Sequence, residues 1–450
     1  MSLEVANAMN DIIAKVQAAG VVGAGGAGFP THVKLAAQAD VFVVNGAECE
    51  PMLKTDQQLA ACYPEQVLQG LRYAMQATGA KEGIIALKAK YQAAVKALQP
   101  LLPRQVRLEF LRDIYPAGDE VMAIWLTTGR RVPPGGIPIQ IGVVVNNVQT
   151  LLNVAKAMNG EAVVTRTLTV TGAVKSPMTA TVPIGTSMAE VIALAGGVTC
   201  EKPAYIDGGP MMGKLVADLS SPITKTTGGL IVLPADHLLI RRKQQSVQSV
   251  LRIAKTVCEQ CCYCTELCPR HIIGHELAPH LIVRSVNHNA IGNPQLLQSA
   301  LTCCECGVCE AYSCPVGISP MRVNSALKGE FRSRNIRYQG SLGQIDPMAE
   351  HRLIPSARLV SRLNLRSWYP PAAPLQQKIY QPERVSIPLR QHSGAPAVAV
   401  VKEGDKVEVG QLIAEMPDKA LGARIHASIA GTIKQVSPQA ITIRKGGAAS

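Results

Sequence analysis

Aromatic residues make up only 4% of this 450-residue chain, with two tryptophans and four phenylalanines among them. Side chains that stack on bases are therefore scarce, and no basic run at helical spacing accompanies them. The excess of 45 Lys and Arg over 32 Asp and Glu does not read as a nucleic-acid surface. Charge is sparse too, at 17% against 47% hydrophobic residues, which excludes a disordered chain. Long apolar runs are missing: Ile141 to Val145 and the stretch around Ile231 fall far short of the roughly 18 residues a membrane span needs. The N-terminus, MSLEVANAMNDIIAKVQAAG, lacks the apolar core of a secretory signal. Nor is there a disulfide scaffold: the 13 cysteines are odd in number, and ten lie between residues 258 and 314. The chain reads as a soluble intracellular protein with no membrane span and no nucleic-acid partner, long enough for several domains of roughly 150 residues.

Residues 1–18 have apolar side chains at near-helical spacing (Val5, Met9, Ile12, Ile13, Val16), which predicts an amphipathic helix. Over 19–160, apolar runs at Val41–Val44, Gly83–Leu87 and Ile141–Val145 alternate with helical patterns at Pro64–Thr78 and Tyr91–Leu98. That alternation predicts an α/β domain with a mainly parallel sheet. Residues 161–218 pair strand-like Thr165–Thr171 and Met178–Pro183 with a short helix, Ser187–Ala195, and a turn at Gly208–Gly213, as a β-grasp module would. The cysteines fall in 246–330, among helical sequence. Residues 331–383 are rich in Arg and Pro and read as a linker, and 384–450 are short strands with glycine turns.

The cysteines carry the strongest chemical signal. CEQCCYCTELCP places Cys258, Cys261, Cys264 and Cys268 in the C-x2-C-x2-C-x3-C-P spacing of bacterial ferredoxins. CCECGVCEAYSCP repeats the theme with Cys303, Cys306, Cys309 and Cys314, one residue longer before the last. Three thiolates at this spacing wrap one [4Fe–4S] cube, while the fourth cysteine lies beyond its reach and serves the other cluster. The expected ligand sets are therefore Cys258, Cys261, Cys264 and Cys314 for one cluster, and Cys303, Cys306, Cys309 and Cys268 for the second. Paired structural zinc sites are the competing assignment, though zinc gains nothing from three evenly spaced cysteines. Cys262 and Cys304, off the spacing, read as bystanders, as do Cys49, Cys62 and Cys200. HELAPH is one residue too long for a zinc-binding H-E-x-x-H, so His271, His275 and His280 read as surface or cluster-flanking residues.

A second signal is the glycine-dense VVGAGGAGFPTHVKL. Gly23, Gly25, Gly26 and Gly28 could let backbone amides approach a phosphate, although the register is not G-x-G-x-x-G and a plain tight turn is the alternative. Together with NGAECEP (Asn45–Pro51), YPAGDE (Tyr115–Glu120) and VNNVQT (Val145–Thr150), it resembles the flavin- and NADH-binding subunit of respiratory complex I and, more closely, the RnfC component of the Rnf electron-transport complex. The resemblance implies FMN contacts from Gly23, Gly25, Gly26, Lys34, Asn45, Tyr115, Gly118, Asn146, Asn147 and Thr150. It implies a nicotinamide-stacking role for Phe29, and acidic contacts to that ligand from Glu48 and Glu120. A lysine suits a phosphate and asparagines suit amide and ribityl groups; Asn146 and Asn147 could also cap a helix. The complex I pattern has arginine where Ala24 stands and an acidic residue where Ala47 stands.

TRTLTVTGAVKSPMTATVPIGTSMAEVIALAGG resembles the soluble-ligand-binding β-grasp module of the same family, and the segment from Val401 to Ile433 resembles biotinyl/lipoyl-type barrel-sandwich domains. Lys419 stands in an Asp-Lys-Ala triplet where a lipoyl lysine would be, but the RnfC component carries no swinging arm on this fold. The implied fold is multidomain α/β: a Rossmann-like flavin domain, a β-grasp module, an α-helical dicluster ferredoxin domain and a small all-β barrel-sandwich domain. With the barrel-sandwich piece last rather than first, the order resembles the cobalamin reductases of bacterial propanediol-utilisation microcompartments. That resemblance implies NADH as donor, FMN and two [4Fe–4S] clusters as carriers, and cob(III)alamin as substrate, reduced to cob(II)alamin and cob(I)alamin. It also implies a cytoplasmic location inside a microcompartment, with a cobalamin adenosyltransferase and shell proteins as partners. A general NADH:ferredoxin or flavodoxin oxidoreductase would share every site, and an electron-relay module docked by residues 1–18 would keep the clusters without oxidising NADH.

Overall fold

The computed structural model of the chain describes residues 3–288 and 293–446. Met1 and Ser2 of the expected N-terminal helix, residues 289–292 of the cysteine-bearing region, residues 447–450 of the last domain and the side chain of Val5 lie outside the described residues. The N-terminal helix runs Leu3–Ala18. Its Ile12 and Val16 are buried in the same core as the helices that follow, so its C-terminal half is fastened to the first domain.

That domain is built on β1 (Val41–Asn45), β2 (Glu82–Lys88), β3 (Val106–Leu111), β4 (Ile114–Tyr115) and β5 (Val143–Asn147). A parallel sheet of order β3-β2-β1-β5 forms from all but β4. VFVVN and VVVNN are almost wholly buried, as central strands of a sheet covered by helices must be. Pro64 starts the helix Pro64–Thr78 and left-handed Gly79 ends it, matching the expected bounds. β3 and the helix Thr55–Cys62 escaped the hydrophobic pattern, being short and mixed in polarity, while the helix Glu120–Thr128 is a short apolar run without helical periodicity.

The next sheet orders as β7-β6-β10-β8-β9, with β6 (Thr165–Gly172), β7 (Met178–Pro183), β8 (Pro203–Asp207), β9 (Lys214–Val216) and β10 (Gly229–Pro234). β10 lies parallel to β6, so the grasp-like unit reaches Pro234, past the expected end at residue 218. Ser187 and Glu190 form a capping box on the helix Met188–Leu194 between them.

Helices Val247–Val257, Pro279–Asn287 and Pro320–Ser333 frame the cysteine segments. The stretch read as a linker is structured in part. Its β11 (Ile354–Pro355) pairs antiparallel with β4, and the helix Ser356–Arg362 buries Leu359 and Val360. Its arginines, Arg358 and Arg362, masked that apolar face in the sequence. The chain closes with β12 (Arg384–Pro388), β13 (Val398–Ala399), β14 (Lys406–Val407), β15 (Leu412–Glu415), β16 (Ile425–His426), β17 (Gly431–Val436) and β18 (Ala440–Arg444), in sheets β12-β18-β17-β14 and β13-β15-β16. Their core residues join the cluster that contains the first domain's helices. No described helix is long and apolar enough to cross a membrane.

Candidate functional site: a flavin cradle beside two cysteine-lined cavities

The glycine loop is pinned at its base. Gly23 N–H donates to Phe29 O at 2.9 Å, and Val22 bridges to Pro30. From the helix after β5, Thr150 Oγ1 accepts the amide of Ala24 at 2.9 Å, and buried Arg166 donates to Ala24 O at 2.8 Å. Gly25 and Gly26 remain exposed at the loop's tip, with open space where a Cβ on Gly26 would stand. Gly28 does something else. At φ +64° a Cβ there would lie 2.8 Å from Thr226 Cγ2 and 3.1 Å from His392 Cα, so it admits the barrel-sandwich domain rather than a ligand. Ser393 of that domain donates through its amide to Gly28 O and through its hydroxyl to Ala27 O.

Around this loop, Lys34 Nζ is 2.6 Å from Glu120 Oε1 and donates to Val145 O. Asn45 donates to Gly118 O at 2.8 Å, and a Cβ on Gly118 would stand 3.1 Å from Cys49 Sγ. Asn147 caps the helix Val148–Met158 through Gln149 N–H and donates to Asp56 Oδ2 at 2.6 Å. Asn146 is buried, and its Nδ2 finds no partner among the described residues, nor do Thr31 Oγ1 and Gln149 Oε1. Buried polar atoms left unpaired are costly. Such atoms near an exposed glycine tip fit a polar ligand of the FMN kind.

Glu48 holds a positive φ of 35° and turns its carboxylate onto the first turn of the helix Thr55–Cys62, accepting from the amides of Asp56 and Gln57. Burial, then the neighbouring Asp56 carboxylate, pushes Glu48 above the usual range. Phe29 is half-buried beside the loop.

The cysteines form two lined cavities. One is walled by Cys258, Cys261, Cys264 and Cys314 together with Cys262 and His280, the other by Cys268, Cys303, Cys306 and Cys309 together with Cys304 and Arg270. The crossed grouping follows from local geometry. Cys264 sits within the short helix Tyr263–Glu266 and Cys268 follows it, while Cys309 opens the π-helical turn Cys309–Ser313 and Cys314 follows that. Each segment thus hands its last cysteine to the other cavity. His275 is buried, its Nε2 donating to Val132 O at 2.9 Å, and burial lowers it to about 4; His280 contacts Thr265 Oγ1.

Three contacts tie these parts together, and the motifs alone did not reveal them. Tyr115, 1% exposed, donates its hydroxyl to Cys306 O at 2.7 Å. Arg270, which lines the second cavity, forms a two-pronged pair with Asp119 of YPAGDE at 2.5 and 2.9 Å. Glu50 accepts from the amides of Met211 and Met212, joining ECEP to the GGPMMG turn of the grasp unit. The signal available was that each partner lies inside or beside a motif already singled out.

A glycine cradle with unpaired buried polar atoms, joined through Tyr115 and Asp119 to cysteine cavities, defines a flavo-iron–sulfur oxidoreductase. Family models agree, segment by segment: the Nuo51 FMN-binding domain over residues 16–156, the SLBB domain over 167–215, a 4Fe-4S dicluster domain over 257–319 and the RnfC barrel sandwich hybrid domain over 372–449. The chain is 58% identical over 433 residues to a cobalamin reductase PduS of Citrobacter freundii, covering 96% of both proteins. It is 57% identical over 446 residues to that of Salmonella typhimurium, covering 99% of both. It is 39% identical over 264 residues to the C component of the Na(+)-translocating ferredoxin:NAD(+) oxidoreductase complex of Acetobacterium woodii, covering 56% of each. The chain belongs to the cobalamin reductase PduS family.

Proposed function

We propose that this protein uses NADH to reduce cob(III)alamin to cob(II)alamin and then cob(I)alamin, inside a cytoplasmic microcompartment, with an adenosyltransferase and shell proteins as partners. The observation that carries this is the contact between Tyr115 Oη and Cys306 O, which joins the flavin cradle directly to a cysteine cavity. FMN held in the cradle would supply the change from two-electron to one-electron transfer, and [4Fe–4S] clusters held by the two cysteine sets would supply one-electron carriers. One NADH therefore reduces two cob(III)alamin to two cob(II)alamin, with release of NAD+ and one proton.

The chain's residues hold and orient. The exposed amides of Gly25 and Gly26 would meet a phosphate or ring edge, with Lys34 supplying charge and the Asn146 amide a donor. Glu48 would exchange its hydrogen bonds to the helix Thr55–Cys62 for ribose hydroxyls of NADH, and Phe29 would stack on the nicotinamide. Cys258, Cys261, Cys264 and Cys314 would hold one cluster, and Cys268, Cys303, Cys306 and Cys309 the other. Burial of the second set excludes water, and Tyr115 and Arg270 fix that site against the flavin loop.

The test is anaerobic reconstitution with iron, sulfide and FMN, followed by NADH and then cob(III)alamin in a stopped-flow spectrometer. Flavin bleaching, cluster bleaching and cob(II)alamin formation should follow in that order. Ferricyanide reduction without cobalamin reduction would remove the corrinoid, and clusters that stay oxidised under NADH would leave an electron relay.

A further inference from the structure

An open cleft of about 620 Å³ lies on the outer side of the cysteine domain, between its short helices and the helix Ser356–Arg362. Tyr263 and Tyr312 form one wall, and Arg358, Arg362 and Arg366 the other. All three arginines are exposed, and among the described residues no carboxylate comes within 4.0 Å of any of them. The helix and the turn after it gather like charges on one face, since Arg358 and Arg362 stand four residues apart, which costs stability unless an anion answers them.

The cleft's position is as informative as its charge. Tyr263 sits between Cys262 and Cys264, Tyr312 lies two residues before Cys314, and Arg362 donates to Cys314 O at 3.2 Å. Cys264 and Cys314 belong to the cavity of Cys258 and Cys261. The contacts from the flavin loop reach the other cavity, through Cys306 and Arg270. The cleft thus borders the outer cavity through Tyr263 and Arg362, while the helix Ser356–Arg362 packs on its inner side in the core that holds Tyr115 and Cys306.

We propose that this cleft is where the electron acceptor docks, and that the acceptor is a flat organic molecule bearing a phosphodiester. The tyrosines would cover its apolar face and Arg358 and Arg366 would grip the phosphate. Cob(III)alamin has that chemistry, so the inference rests on the proposed function. With a cluster held by Cys258, Cys261, Cys264 and Cys314 as one-electron donor, one docking would take cob(III) to cob(II) and a second would take cob(II) to cob(I).

The experiment compares the full reconstituted enzyme with its Arg358→Gln/Arg366→Gln variant on two acceptors: cob(III)alamin, and cobinamide, which lacks the nucleotide tail and its phosphodiester. Arg362 is left alone because it supports Cys314. The variant should raise KM for cob(III)alamin by about tenfold, leave KM for cobinamide unchanged, and reduce ferricyanide at the wild-type rate. Unchanged KM for cob(III)alamin, or equal losses on both corrinoids, would overturn the cleft while leaving the cobalamin reductase intact. A loss seen only with an acidic carrier protein as acceptor would reassign the cleft to that partner. Wild-type enzyme that reduces ferricyanide but neither corrinoid would remove the proposed function and this inference with it.

Discussion

The pair between Asp119 and Arg270 is the most consequential buried interaction between the flavin loop and the cysteine domain. Their side chains are 15% and 8% exposed, and Asp119 also caps the helix Glu120–Thr128 by accepting from Met122 N–H. Burial by itself would raise the Asp119 carboxyl, but the Arg270 guanidinium overrides this and holds it below the usual range. Replacing Arg270 by Gln leaves that carboxylate buried and unpaired. Breaking such a pair costs about 3–5 kcal/mol, which at about 1.4 kcal/mol per tenfold is at least a hundredfold in the local opening equilibrium. Hydrogen exchange should report it: the amides of the helix Glu120–Thr128 and of the turn Pro269–Ile272 lose about a hundredfold protection or more. An Asp119→Asn/Arg270→Gln double variant should recover much of this, because no buried charge is orphaned. The folded pKa of Asp119 lies below the unfolded value of about 3.9, so the pair's contribution is full above that pH. It disappears as pH falls through the folded value. Protection in Arg270→Gln equal to wild type, or a double variant as damaged as the sum of the singles, would refute the argument.

Other outcomes follow from single contacts. Cys314→Ser should abolish the cluster signal assigned to Cys258, Cys261 and Cys264 while sparing the other, read by electron paramagnetic resonance and iron content; loss of the Cys303-based signal instead would reverse the crossed assignment. Gly28→Ala should lower the thermal midpoint by an amount equivalent to about 1–3 kcal/mol, because both its φ of +64° and the Thr226 contact oppose a Cβ. Gly26→Ala, strained but unobstructed, should cost less stability and instead weaken FMN binding. Lys225, buried and donating to Gly20 O and Arg424 O, is lowered by burial to about 7. Since the unfolded chain binds its proton more tightly, stability should rise with pH from about 7 towards the unfolded value near 10.4. Lys225→Met should flatten that rise in thermal scans.

Where sequence reasoning was most direct, one local rule carried it. The cysteine spacing, two-two-three in the first run and two-two-four in the second, leads to the expected crossed sets, and the same eight cysteines line the two cavities in those groups. Pro64 and Gly79 bracket a helix through backbone chemistry alone. Where it fell short, tertiary partners were needed. Gly28 looks like its neighbours in GAGGAGF, yet its positive φ and lack of a Cβ serve Thr226 and His392, both far away in the chain. Tyr115 matched a flavin contact by motif, but its hydroxyl is committed to Cys306 O. β11 spans two residues and exists only because β4 is there to pair with it.

The positive excess of the chain is distributed by the same logic. Arg166, Lys225 and Arg270 are each less than 9% exposed, and each lies at a seam between segments distant in sequence. Arg166 bonds to Ala24 O and Thr227 O, Lys225 to Gly20 O and Arg424 O, and Arg270 to Asp119. A buried cation keeps its stability only while all its acceptors remain in place, because exposing one acceptor leaves a desolvated charge unanswered. Seams stapled this way open as units rather than fraying. Two of the three, Arg166 and Lys225, lie next to the glycine loop, and the third joins the flavin loop to the inner cysteine cavity. The arginines of the outer cleft are the opposite case, exposed and without carboxylates. Charge that is buried holds the seams between segments, and charge that is exposed at the cleft has no carboxylate partner among the described residues.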